Sequence, residues 1–388
     1  MDLSLLFSSI DDRVTSQVTG NNTVYQSIDV YQHKMPNFKE ADVALIGIDD
    51  YRGTAQPDVA QPAADLVRKK LYALKKGFGR YRIVDLGNLR HGVTITDTYE
   101  RLREACKLLL SHNVLPVIIG GGHDLGFAQY QAYEALNKLI SVLTIDAFLD
   151  MEEGGETPAN RSHIQQLLVH EPNYLFNYVH LAYQSYLIDA RLTEVIEKLY
   201  FEAYRLGQLR EQLRDMEPVI RDADMMTFDV SAIKSSDAPG STNPQPFGLT
   251  GEEACQLCWY AGQNEKLTSV GFYEYNPDED DHHGKTAAVI ATMVWYFIEG
   301  FYHRRNELDF ATNDYLRYLV SMPVEPETLV FYKSKLSEKW WMEVPGQPQA
   351  SQPAYHRTRI VPCSYADYQT ATEGNIPERW IMAQSRLA

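Results

Sequence analysis

Val114-Leu115-Pro116-Val117-Ile118-Ile119-Gly120-Gly121-Gly122-His123-Asp124 reads as an apolar strand running into a glycine-rich turn that carries a histidine and an aspartate. The same form returns twice downstream. Ser141-Val142-Leu143-Thr144-Ile145-Asp146-Ala147-Phe148-Leu149-Asp150 and Met225-Met226-Thr227-Phe228-Asp229-Val230-Ser231 place carboxylates just past an apolar run. Imidazole nitrogen and carboxylate oxygen gathered at the ends of buried strands are the donors of a divalent-metal site. Fold and function are therefore read from the same three segments.

Around them, short apolar runs alternate with helical patterns. Strands are expected at Asp42–Ile48, Tyr81–Leu86, Val114–Gly120, Ser141–Asp146, Tyr178–Tyr183, Met225–Val230 and Ser269–Tyr273. They are rich in Val, Ile and Leu without strict alternation, as strands buried on both faces are. Asp97–Ser111 sets Leu102, Ala105, Leu108 and Leu109 on one helical face. Glu194–Glu217 reads as a longer, charged helical region and Glu252–Tyr260 as helix. The alternation predicts an α/β protein of three layers, α/β/α, around a mostly parallel sheet. Ligands of such sheets lie beyond the carboxyl ends of the strands, where these His and Asp residues fall.

The three segments resemble the ureohydrolase superfamily of arginase, agmatinase and formimidoylglutamase, whose pattern is GGxH, DAHxD and an apolar strand ending in DxD. Two further stretches extend the likeness. Ala238-Pro239-Gly240-Ser241-Thr242 through Thr250 is similar to the loop after the last ligand pair in formimidoylglutamases, and Glu274-Tyr275-Asn276-Pro277 to the family's E-x-N-P. The resemblance spans roughly Ala41 to Phe301 and implies the arginase-like fold. It also implies metal-dependent hydrolysis of a formimino or guanidino C–N bond, through a hydroxide shared by two Mn2+ ions.

Carried over residue by residue, one ion would take His123, Asp146, Asp150 and Asp229. The other needs the histidine of DAHxD and the last aspartate of DxD, and here those positions hold Phe148 and Ser231. A phenyl ring ligates nothing and a serine hydroxyl is a weak neutral ligand, so no second ion is expected. The four remaining donors leave two outcomes open: one divalent ion, manganese by resemblance, or an empty hydrogen-bonded polar cluster with raised carboxylate pKa values. His123 and Asp146 could also serve only as caps of strand ends and loop amides. Glu274 stands where the family's carboxylate faces the guanidino or formimino group; otherwise it is a strand-end glutamate on a helix amide. His163, thirteen positions after Asp150, stands near an arginase histidine proposed to shuttle protons, or is a surface histidine at a helix start. Arg52-Gly53-Thr54-Ala55-Gln56 matches the family's substrate loop poorly. Two functions follow: a hydrolase working weakly with one metal, or a lapsed enzyme kept as a binding or structural subunit.

The rest of the chain narrows the partners. Its 388 residues carry a net charge of −16, with 44% hydrophobic and 23% charged residues. Such acidity disfavours nucleic acid and anionic membrane as partners, and no apolar run approaches the roughly 20 residues that cross a bilayer. Met1 to Asp12 shows no signal-peptide pattern, and Cys106, Cys255, Cys258 and Cys363 are spaced like reduced thiols, so a cytoplasmic protein is expected. The acidic run Asp278 to His283 reads as a solvated turn. Residues 1–40 are taken as an N-terminal segment, 41–305 as the α/β domain, and 306–388 as a C-terminal extension outside the resemblance. In that extension Glu307–Met322 reads as helix and Thr328–Lys333 as strand. Its tryptophans and tyrosines suit packing on the domain or a contact between subunits, and a homo-oligomer is expected.

Overall fold

The structure is a computed structural model and describes residues 3–16, 18–152, 154, 157–345 and 360–387. Ten strands form the central sheet: β1 (Phe7–Ser8), β2 (Asp29–Val30), β3 (Val43–Gly47), β4 (Ile83–Leu89), β5 (Leu115–Ile119), β6 (Ile140–Ile145), β7 (Leu175–Tyr183), β8 (Glu202–Arg205), β9 (Met225–Asp229) and β10 (Ser269–Tyr273). Their order is β1-β4-β3-β5-β10-β9-β6-β7-β8, with β2 also on β4. Among these pairings only β1 with β4 is antiparallel. The expected three-layer α/β fold is what forms.

Why the strands read as unbroken apolar runs is plain from their packing. Val43 and Leu45 join one core with helices Ala63–Ala73, Gly251–Gly262 and Lys285–Phe301. Ala44 and Ile46 join another with helices Ile95–Ser111 and Leu125–Glu134. Successive side chains point to opposite faces, so two cores demand an apolar residue at every position. The four neighbours β5-β10-β9-β6 end at His123, Glu274, Asp229 and Asp146, which places the chemistry in a single crevice. Cys255 and Cys258 are buried free thiols of helix Gly251–Gly262, and burial pushes Cys255 up to about 12.

Two sequence expectations are corrected. The region Glu194–Glu217 is not one helix: helix Ala190–Lys198 ends, β8 pairs in parallel with β7, and helix Leu206–Glu211 follows. The open edge of β7 and burial of Phe201 and Ala203 against Ile196 override the helical charge pattern. Glu307–Met322 is not a helix either. It contains β11 (Tyr315–Ser321), paired along its length with β12 (Thr328–Ser334), the expected strand. The Glu307 carboxylate accepts hydrogen bonds from the Ser334 and Ser337 hydroxyls, holding the preceding loop away from helix geometry.

β13 (Trp340–Glu343) and β14 (Ile360–Cys363) complete a four-stranded antiparallel sheet, covered by helices Tyr365–Thr372 and Glu378–Leu387. Arg221 fastens this sheet to the main domain. Its Nη2 donates to the carbonyls of Trp340 (3.0 Å) and Cys363 (3.3 Å), its Nε pairs with Glu217 (3.0 Å), and its guanidinium lies 4.2 Å over the Trp341 ring. Arg221 precedes β9, so the small sheet docks at the amino ends of the strands, opposite the crevice. No helix among the described residues is long and apolar enough to cross a membrane. Replacing Arg221 by Ala strips two buried carbonyls and Glu217 of a partner, and should destabilise the protein by roughly 2–4 kcal/mol. Urea unfolding measures that loss, and metal binding at the far end of the sheet should be unchanged.

Candidate metal centre

The turn after β5 aims the first ligand. Gly120 (φ +94°) and Gly121 (φ +77°) adopt left-handed backbone, and a Cβ on either would lie 2.4 Å from Ile48 O or Leu125 Cδ1 respectively. Only glycine fits both demands. The chain then reverses into helix Leu125–Glu134 and brings Nδ1 of His123 back over the sheet. Around that nitrogen stand Asp146 Oδ2 at 3.2 Å, Asp229 Oδ2 at 3.3 Å and Asp150 Oδ2 at 3.5 Å. One donor atom from each of the four residues lies within 4.8 Å of the others, and all four are at most 5% exposed.

This arrangement passes the chemical test for a cation. An imidazole Nδ1–H serves one acceptor well, yet three buried carboxylate oxygens face it. Burial opposes charge on His123, but its contacts with the three aspartates outweigh that and hold its pKa well up. Burial and the charge of Asp146 push Asp150 and Asp229 upward, while His123 holds Asp146 low against burial. One nitrogen and three carboxylates suit a divalent ion.

At the two positions where the resemblance implies further ligands, Phe148 and Ser231 bond the aspartates instead. Asp146 Oδ1 accepts from Phe148 N at 3.0 Å and from the Ser231 hydroxyl at 2.9 Å. Asp229 Oδ1 accepts from Ser231 N at 2.6 Å. Arg161 stacks its guanidinium 3.7 Å over the Phe148 ring, with Nη1 3.9 Å from Asp150 Oδ1 and Nη2 donating to Asn243 Oδ1 at 3.4 Å.

Glu274 is fully buried. Its Oε1 accepts from the His123 amide (2.6 Å) and Asn160 Nδ2 (3.1 Å), and the Thr242 hydroxyl bonds Oε2. Burial, then the charge of Asp229, raises it to about 8. Both oxygens thus serve the scaffold: Glu274 ties β10 to the His123 turn. His163 begins helix His163–Val169 but is buried, 4.2 Å from the His123 ring, so the surface-histidine alternative is corrected. Its Nδ1 lies 2.9 Å from the Asn160 carbonyl, which makes that nitrogen the protonated one. Its Nε2 is buried without a partner among the described residues, and burial holds its pKa well below the ordinary value. Asp150 (φ +47°) and Glu274 (φ +65°) sit in left-handed backbone, at about 1–3 kcal/mol of strain each.

Three contributors were not anticipated from the sequence. His180, inside β7, meets the Asp146 carbonyl through Nε2 (3.1 Å) and the Tyr178 hydroxyl through Nδ1 (2.9 Å). A lone histidine in an apolar strand was the available signal. Asn160 and Arg161 lie in a loop whose sequence carries no pattern, and only folding brings them in. Glu274→Gln keeps one acceptor and meets Thr242 with a donor, so it should unfold in urea within about 1 kcal/mol of the unaltered chain. Glu274→Ala strands the His123 amide and Asn160 and should lose roughly 2–4 kcal/mol. Equal losses in the two variants would refute the scaffold role.

Known proteins share the fold that carries these residues. The model of the arginase family matches residues 41–299. A formimidoylglutamase of Geobacillus sp. (strain WCH70) is 27% identical over 235 residues, covering 58% of this chain and 71% of that protein. That of Photorhabdus laumondii subsp. laumondii is 25% identical over 303 residues, 70% and 92% of the two chains. In three dimensions the chain is similar to Trypanosoma cruzi formiminoglutamase with Mn2+, with a TM-score of 0.62 at 20% identity, covering 70% of this chain and 100% of that one. It is also similar to Bacillus subtilis formimidoylglutamase, with a TM-score of 0.63 at 19% identity, covering 76% and 95%. At these identities the structural likeness concerns the fold, and together with the match over residues 41–299 it means that the chain belongs to the arginase family.

Proposed function

We propose that this protein hydrolyses a C–N bond of a linear amidine or guanidine with a single divalent ion, more slowly than a two-metal enzyme would. The observation that carries the reading is the convergence of three buried carboxylates on Nδ1 of His123. His123, Asp146, Asp150 and Asp229 would hold the ion. Bound there, it supplies Lewis-acid and water-activating chemistry. Manganese and a formimino substrate are the first choices, because relatives are named formimidoylglutamases and one solved relative carries Mn2+.

The chain's own groups set the rest. Asp146 Oδ1 is taken up by Phe148 N and the Ser231 hydroxyl, so it does not offer itself to a second ion. Glu274 holds the His123 amide and fixes the ring that carries Nδ1. His163, with its Nδ1 proton on the Asn160 carbonyl, keeps Nε2 as a buried proton acceptor. Arg161, stacked on the Phe148 ring, stands beside Asp150, so a substrate has to fit beside a ring and a guanidinium.

The same saturation of Asp146 favours a second reading, a lapsed enzyme retained for binding. Purified protein loaded with Mn2+ should turn over formimidoylglutamate, arginine or agmatine, and both a chelator and Asp150→Asn should lower that rate by about tenfold or more. If the loaded protein is inert and turnover appears only in the Phe148→His plus Ser231→Asp double variant, the lapsed reading replaces this one.

A further inference from the structure

We propose that Arg161 is the built-in counter-cation of the centre: its guanidinium, stacked on Phe148, does the electrostatic work that a second metal ion would do, and makes this a one-metal, one-guanidinium site. The inference rests on the single-metal reading above and deepens it.

Three features carry it. First, among the described residues Arg161 is the one non-histidine cation within ion-pair distance of the aspartates, 3.9 Å from Asp150 Oδ1. Three ionised aspartates exceed one divalent ion by a single negative charge, and a guanidinium is charged at every accessible pH, so it supplies the missing positive one. Second, the charge is held in place. The guanidinium lies 3.7 Å from the centre of the Phe148 ring and its Nη2 reaches Asn243 Oδ1. A guanidinium stacks flat on an aromatic face where an ammonium would not. The phenyl ring that removed a metal ligand is thereby the platform for the replacement charge. Third, the loop is built into the site. Its neighbour Asn160 bonds both Glu274 and His163, and Glu152 N donates to the Arg161 carbonyl at 3.0 Å.

The substitutions therefore form one set. Relative to the two-cation arrangement implied by the family resemblance, losing an ion together with its aspartate removes one net positive charge. Arg161 restores it, while Ser231 and Phe148 N satisfy the carboxylate oxygen left behind.

The test uses MnCl2 as the probe and reads metal content and affinity, not turnover. The unaltered protein should hold one equivalent of Mn2+ after equilibration at millimolar metal. By calorimetric titration, Arg161→Gln should bind Mn2+ about fivefold or more tightly, because a fixed like charge has been removed from the site. Arg161→Lys keeps the charge but loses the flat stack on Phe148, so its affinity should lie between those of the unaltered protein and the Gln variant. Two equivalents in the unaltered protein would overturn the proposal while leaving metal binding intact. So would an Arg161→Gln affinity that is unchanged or weaker, or a Lys variant that follows Gln. Absence of Mn2+ from the unaltered protein would remove both this inference and the single-metal reading. Arg161 is one-fifth exposed; should the variants fail to fold, two equivalents in the unaltered protein would still overturn the proposal.

Discussion

Three carboxylates buried around one imidazole nitrogen set the terms for everything else at the carboxyl end of this sheet. Charges so placed cannot be solvated, and each must be met by a proton, a hydrogen bond or a cation. Much of the surrounding structure answers that demand. Ser231 and the Phe148 amide cover the free oxygen of Asp146. The Ser231 amide covers that of Asp229, and Arg161 stands beside Asp150. Asp150 itself sits in left-handed backbone, a region aspartate enters more readily than most residues.

The sheet explains how the demand could be created at all. Strands β5, β10, β9 and β6 are neighbours in space although the chain visits them in the order β5, β6, β9, β10. Each delivers one polar residue at its carboxyl end, and the two apolar cores beneath hold the strands in register. The crevice thus collects groups from positions 123 to 274 with little freedom to separate. The small antiparallel sheet at the opposite end, fastened by Arg221, adds a second aromatic core without reaching the aspartates.

Phe148 and Ser231, where the family resemblance would put two metal ligands, are both held by the surrounding structure. The phenyl ring of Phe148 is stacked, the hydroxyl of Ser231 is hydrogen-bonded, and the oxygen they would have left exposed is satisfied. Asp146 is left with no unpaired carboxylate oxygen.

From the amino-acid order alone, the parallel sheet, its buried strands and the four metal-binding candidates could be read, because each depends on a local pattern: an apolar run followed at once by His or Asp. Phe148 and Ser231 were equally legible as departures from a short motif. Glu274 was legible as a position but not as a role, since its hydrogen bonds come from His123 and Asn160, more than a hundred positions away, and from Thr242 in a separate loop. Arg161 and His180 carried no motif, and β8 and β11 carried helical patterns that their strand partners overrode. Local chemistry along the chain therefore determined which groups were available. Only the tertiary structure decided which of them share a buried volume, because charge neutralisation and strand pairing act between residues that the chain itself keeps far apart.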